Sequence, residues 1–481
     1  MLELVFILPL IGILNLLIIP RDNIIKLKKT ALEWSLFTLT ATILLWASFD
    51  GSGQFQAIIN FEWIPGTEPV FGPVLFAVDG ISIFFLILTA VLIPICILIS
   101  WNSPRFLIKE FLLCLLAIEV LLLGVFTVLD LIGFYILFEG ILIPMFLIIG
   151  IWGSREEKVQ ASYYFFFYTF LGSVFMLLAI FILYSHAGTT DYQALCGLQI
   201  KKNFQYFIFL GFFLSLAIKI PKIPFHIWLP LAHVEAPVAG SVILAGVLLK
   251  LGGYGFIRFS WPLLPEASKF FAPLILTLSL LAIIYGSLTT CRQVDLKRII
   301  AYSSVAHMGL VTLGIFSHTV QGLVAAIFLM LAHGLVSSAL FIAVTFLYDR
   351  HHTRIIKYYR GMAITMPLFG VSMLTLMLAN ASIPLSCNFV GEFLSLLAAF
   401  EYSIIVGVLA SLGIVLSAGY SIYLYNRACF GAPSKYLKFS RDLNRRELYS
   451  IIPLVILIYL IGIFPSIIID VVKSSIIFQE W

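Results

Sequence analysis

Runs of about eighteen or more apolar residues recur along this whole sequence, each long enough to cross a hydrocarbon layer about 30 Å thick as a helix. Fourteen such runs are counted, centred near residues 11, 40, 89, 117, 140, 174, 216, 247, 280, 308, 334, 379, 413 and 460. The sequence therefore predicts an all-α integral membrane protein with about 14 transmembrane helices. The segments between the runs are short apart from 49–77, 187–204 and 427–449, so a single polytopic domain is expected. Charged residues make up 11% of the chain, against about 25% in soluble domains. Water-soluble enzyme classes are excluded on that ground. No soluble stretch is long enough to hold a nucleotide, and the basic residues form no nucleic-acid patch.

The distribution of charge supports the count. With fourteen spans the connecting loops alternate sides. The loops 20–30, 101–110, 153–160, 230–236, 291–299, 348–363 and 427–449 carry 21 Lys and Arg, and the opposite side carries 5. Such a bias places the basic loops on the cytoplasmic or matrix side and both termini outside. The apolar N-terminus has no basic n-region and no small-residue cleavage site, so it reads as a first transmembrane helix. The six cysteines form no C-x-x-C pair and read as small core residues. No cluster suggests haem or iron–sulfur ligation.

Two spans are interrupted in sequence. Pro221, Pro224 and Pro230 fall in the seventh, and Asn380, Ser382, Pro384, Ser386 and Asn388 in the twelfth. Each proline removes a backbone donor and clashes with the preceding turn. The carbonyls released must find protein or water, so such breaks line cavities. Paired breaks in two halves of a transporter point to an inverted repeat with its site at mid-membrane. Here the two breaks share Ile-Pro and little else, so the repeat rests on hydropathy and position.

Ionisable residues lie where they are expensive. Glu139, Lys219, Lys222, Lys250 and Glu392 fall within the spans or at their breaks. A charge at mid-membrane costs about 2.5–3.5 kcal/mol on insertion scales. Glu139 is either a structural partner or a carboxyl that exchanges protons and biases a lysine. Lys219 can lose its proton when desolvated and regain it beside a carboxylate, which arginine cannot do. Lys222 reads as an interfacial neighbour. Lys250 sits among Gly246, Gly252, Gly253 and Gly255, which leave room for close helix approach or water. Glu392 directly follows the second break. His307 and His333, on adjacent spans, are either satisfied core histidines or members of a proton relay. His226 and His233 flank the first break and either hydrate a channel mouth or cap it. Glu119 is mid-span without an evident partner, and Asp470 is placed to face water.

At these residues the chain resembles a known family. FEGILIPM, AIKIPKIPFHIWLPLAHVEAPVAGSVILAGVLLKLGGYG, IAYSSVAHMG, LAHGLVSSALF and FVGEF are similar, in order and spacing, to the chain-4 family of antiporter-like subunits of respiratory complex I (NADH:ubiquinone oxidoreductase). The resemblance spans about residues 75–465, and the loop sequences look mitochondrial. It implies fourteen helices with two inverted five-helix repeats and broken helices 7 and 12. Residues 1–100 would hold helices 1–3, 101–262 the first repeat, 263–428 the second, and 429–481 the C-terminal loop and helix 14. It also implies a Glu139–Lys219 pair, a central Lys250, a hydrated axis through His307 and His333, and an exit acid at Glu392.

A multi-pass protein of the mitochondrial inner membrane follows from the resemblance, with its termini on the intermembrane-space side. No cofactor is expected in this chain: NADH, FMN, the iron–sulfur clusters and ubiquinone would be bound by other subunits. The partners implied are other complex I membrane subunits, neighbouring antiporter-like subunits included. Phospholipid, cardiolipin above all, is expected beside the basic loops. The leading expectation is a proton-translocating core subunit. The alternatives are a cation/proton antiporter subunit of the multisubunit sodium type, and a scaffold whose charges only stabilise helix packing.

Overall fold

The structure, a computed structural model, describes residues 1–61, 74–198, 200–437 and 441–480. Parts of the three long loops, at 62–73, 199 and 438–440, lie outside the described residues. Among the described residues, eleven helices are long and apolar enough to cross a membrane. Leu2–Ile18 and Pro367–Asn380 are apolar but shorter. The expectation of an all-α chain needs one correction: β1 (Gln56–Phe61) and β2 (Val74–Val78) form an antiparallel pair with an irregularity between Gln56 and Ile59. QAIINF and VLFAV are short runs rich in Ile, Val and Phe, too short to register as spans and of the composition that favours strands.

Helix ends follow local chemistry. Asp130 caps Leu131–Gly140 by accepting from Gly133 N at 2.6 Å. Asp295 caps Leu296–Ile315 through Lys297 N at 2.9 Å, and Thr319 caps Val320–His351 through Gly322 N at 3.0 Å. Each satisfies a donor that the first helical turn leaves unpaired. Helix Lys202–Lys219 stops at Lys219, and the next, Trp228–Glu235, begins nine residues later. Helix Pro367–Asn380 likewise stops before Cys387–Tyr402 begins. Helix Leu131–Gly140 passes into Leu142–Trp152 at Ile141, where Pro144 cannot donate to the Gly140 carbonyl.

Two elements form the centre. In Val320–His351 and in the segment Val238–Leu263, every residue of the apolar window is buried, against 39% in Lys158–Ala187. In a bilayer, apolar side chains gain little by leaving lipid for protein, so close packing decides which helices become central. The glycines make that possible here. A Cβ on Gly334 would stand 2.8 Å from the Gly246 carbonyl oxygen, and one on Gly252 would stand 2.8 Å from Leu216 O. The room beside Lys250 is thus taken by close helix approach.

Candidate functional site

The Val238–Leu263 segment does not run as a regular helix. Leu244–Leu248 and Phe256–Ser260 are π-helical and bracket the α-helical Leu249–Gly255. A π-turn displaces the residues after it and is frequent at functional sites. Lys250, fully buried, follows the first one, and its Nζ donates to Ala245 O five residues back. The same nitrogen is 3.0 Å from His333 Nδ1. The contact crosses between the two central helices at the level that the Gly246–Gly334 approach allows.

From His333 the row continues. Its ring centroid lies 5.6 Å from that of His307, and His307 Nδ1 is 2.8 Å from Glu392 Oε1. Both members of this pair are buried. A cavity of about 10 Å³ touches His307 and Glu392, between Ser287 and Ser417, close to the room one water needs. Lys250, His333, His307 and Glu392 therefore form one contiguous row across four elements, from the Leu249–Gly255 turn to the helix after the second break.

Glu139 and Lys219 stand apart as a second group. Lys219 Nζ, buried, has no hydrogen-bond partner among the described residues and lies 4.2 Å from the centroid of the Phe138 ring. The half-buried Glu139 carboxylate is near enough to feel its charge, but no ion-pair contact joins them among the described residues. An ammonium over an aromatic face beside a carboxylate has two stations to move between.

Lys222 is buried, and its Nζ donates to Ile275 O at 3.0 Å between the rings of Phe213 and Phe316. The break aims Lys219 at Phe138 and Glu139, and Lys222 at helix Pro265–Arg292. Glu119 is buried and its Oε1 is 2.5 Å from Thr38 Oγ1, a bond between helices Ile24–Ala47 and Ile108–Thr127 away from the row. Asp470 is exposed. His226 is half-buried, whereas His233 is fully buried, stacked 4.6 Å from Phe341, with neither ring nitrogen hydrogen-bonded among the described residues.

Sequence reasoning missed three buried charges that it assigned to loops. Arg258 pairs with Asp79 at 2.6 Å. Arg354 lies 3.5 Å from Glu235 and donates to Val234 O. Lys297 donates to Ala236 O at 3.0 Å. The signal available was the AHVEAP motif, whose backbone takes two of these cations. No group of three or more His, Cys, Asp or Glu that could hold a metal occurs among the described residues.

Known proteins resemble this chain closely. Residues 128–417 match the family model for the NADH:quinone oxidoreductase/Mrp antiporter transmembrane region. The NADH-ubiquinone oxidoreductase chain 4 of Metridium senile is 71% identical, over 99% of this chain and 98% of its own. That of Chondrus crispus is 53% identical, over 95% and 93%. A chain of the respiratory complex I from Thermus thermophilus, solved with bound NADH, superposes with a TM-score of 0.90 at 29% identity, covering 100% of this chain and 99% of its own. The chain belongs to the NADH:quinone oxidoreductase/Mrp antiporter family of membrane proteins, among its NADH-ubiquinone oxidoreductase chain 4 members.

Proposed function

We propose that this chain is a proton-translocating core membrane subunit of respiratory complex I, a multi-pass protein of the mitochondrial inner membrane. It couples electron transfer from NADH to ubiquinone, carried out in other subunits, to proton movement through its own buried side chains. The observation that carries this reading is the row Lys250–His333–His307–Glu392, with contacts of 3.0 and 2.8 Å at its two ends. Each member can hold and release a proton, and an imidazole can take a proton on one nitrogen and release it from the other.

The proposed sequence begins at Lys219, whose attraction to Glu139 sets how firmly it holds a proton. When that attraction weakens, Lys219 gives up its proton toward Lys250. The Lys250 ammonium donates to His333 Nδ1, the proton passes to His307, and Glu392 accepts it for release on the outer side. Moving one charge against about 100 mV costs about 2.3 kcal/mol. Two charges about 4 Å apart at an effective dielectric constant near 20 interact by about 4 kcal/mol. Bringing Lys219 into and out of contact with Glu139 would therefore suffice.

The finer architecture is part of the same proposal. Fourteen spans, two inverted five-helix repeats at 101–262 and 263–428, broken helices 7 and 12, and both termini on the intermembrane-space side are supported by the 21-to-5 charge bias and by the helix stops at Lys219 and Asn380. Neighbouring antiporter-like subunits are the proposed partners, with cardiolipin at the basic loops. NADH, FMN, iron–sulfur clusters and ubiquinone are assigned to other subunits. Identity of 71% over 480 residues to a complex I chain favours this reading over a sodium-type antiporter subunit. In reconstituted complex, Lys250→Ala should lower the protons pumped per NADH oxidised. A fully assembled variant pumping at the normal ratio would overturn the role.

A further inference from the structure

Arg258 has no part in the row running from Lys250 to Glu392, yet it stands on the same segment, eight residues further on. At about 1.5 Å per residue that places it about 12 Å along the helix from Lys250. It lies toward the side that carries 5 Lys and Arg against 21 on the other. Arg258 and Asp79 are each 1% exposed. The guanidinium is held from several directions. Nη2 is 2.6 Å from Asp79 Oδ1, and Nε donates to the Tyr254 hydroxyl at 3.2 Å. The rings of Phe55, Tyr192 and Tyr254 stand 5.3–5.9 Å from its centre. Asp79 is itself fixed, since Oδ1 also accepts from Ser82 N at 2.9 Å where helix Ser82–Ile99 begins. Nη1 has no hydrogen-bond partner among the described residues. A buried ion pair is often no more stabilising than apolar side chains of the same volume, so packing alone does not call for this one.

Between Lys250 and Arg258 lies an aromatic layer. Tyr254, about one turn from each, is fully buried, and its hydroxyl donates to Phe126 O at 2.9 Å. Its ring meets Phe126 at 5.2 Å and Phe85 at 5.9 Å edge-on, and those two rings stack at 5.0 Å. Rings packed in this way leave little room for water. The tyrosine proton is engaged by the Phe126 carbonyl and a lone pair by Arg258, so the hydroxyl offers no ready hop. Lys250 reaches the other way, to Ala245 O and to His333. The group at the far end of the layer cannot release a proton at all. A fixed arginine also repels an arriving cation, as it does in pores that exclude protons.

We propose that Arg258, clamped by Asp79 and Tyr254, is a barrier that closes the direct way from Lys250 to the sparsely charged side. A proton on Lys250 then leaves only sideways, to His333. The inference rests on the proton-carrying role of Lys250 set out above and adds the element that keeps that proton from leaking.

The test is the passive proton flux of sealed vesicles holding the assembled complex, under an imposed pH difference and without NADH. Arg258→Gln removes the charge and keeps a polar partner for Tyr254. It is expected to raise the flux about tenfold, the factor by which one unit charge about 12 Å away disfavours another at an effective dielectric constant near 20. Adding Lys250→Ala should return the flux to that of the unaltered complex. An unchanged flux in Arg258→Gln would overturn the barrier. A leak that persists with Lys250→Ala would mark a general loosening and overturn it as well. Normal pumping by Lys250→Ala alone would instead overturn the reading of Lys250 on which the inference rests. Should Arg258→Gln not assemble, Arg258→Lys decides, because it keeps the charge and the pair with Asp79 but can release a proton. A raised flux is expected; vesicles as tight as those of the unaltered complex would assign Arg258 a packing role and overturn the barrier.

Discussion

At the scale of single residues, the buried lysines divide by what their ammonium groups touch. Lys219 has only an aromatic face and a nearby carboxylate. Lys222 is tied to a backbone carbonyl, and Lys250 to a carbonyl and an imidazole. The group least held is the one best able to move. Replacing Lys219 with Arg tests whether charge or proton release matters there. A permanent cation would keep any packing role and lose the proton cycle. Lys219→Arg is therefore expected to assemble and to lose proton pumping as fully as Lys219→Ala, measured as protons per NADH in vesicles. Recovery of normal pumping by Arg would support the scaffold alternative. None of these differences was visible in sequence, where all three lysines are cations in apolar runs. Partner atoms from distant elements separate them.

At the scale of elements, the site depends on two central helices meeting closely. Lys250 reaches His333 because the π-turn Leu244–Leu248 turns the segment and because Gly246 and Gly334 let the backbones approach. A Cβ at 334 would stand 2.8 Å from Gly246 O. Gly334→Val should thus push the helices apart and destabilise the subunit by about 1–3 kcal/mol, the usual cost of overpacking. The expected outcome is a lower unfolding temperature of the complex together with weakened pumping; an unchanged temperature would refute the close-approach argument. The glycines around Lys250 were legible as a sign of close approach or water, but which of these applied required the partner helix. The π-turns have no sequence signature of their own, since they arise from how the segment fits its neighbours.

At the scale of the whole molecule, topology is open to a direct measurement. Cys196 and Cys291 are exposed, in loops assigned to opposite sides, while Cys96, Cys387 and Cys429 are buried. An impermeant maleimide should label Cys291 from the matrix side and Cys196 from the intermembrane-space side, in membranes of the two orientations. Labelling of both from one side would overturn the alternation of loops. The sequence by itself determined that the chain is a polytopic helical membrane protein, because hydrophobic length and loop charge are local properties that a bilayer reads directly. It also marked Glu139, Lys219, Lys250, His307, His333 and Glu392, because a mid-membrane ionisable residue is costly wherever it packs. It passed over Lys297, Arg258 and Arg354, because a cation near a span end looks solvated until other elements cover it. Only the tertiary structure decided that Lys250, His333, His307 and Glu392 adjoin while Glu139 and Lys219 stand apart. Contacts between residues more than 80 positions apart, as from Lys250 to His333, follow from helix packing, and helix packing is a property of the assembled bundle.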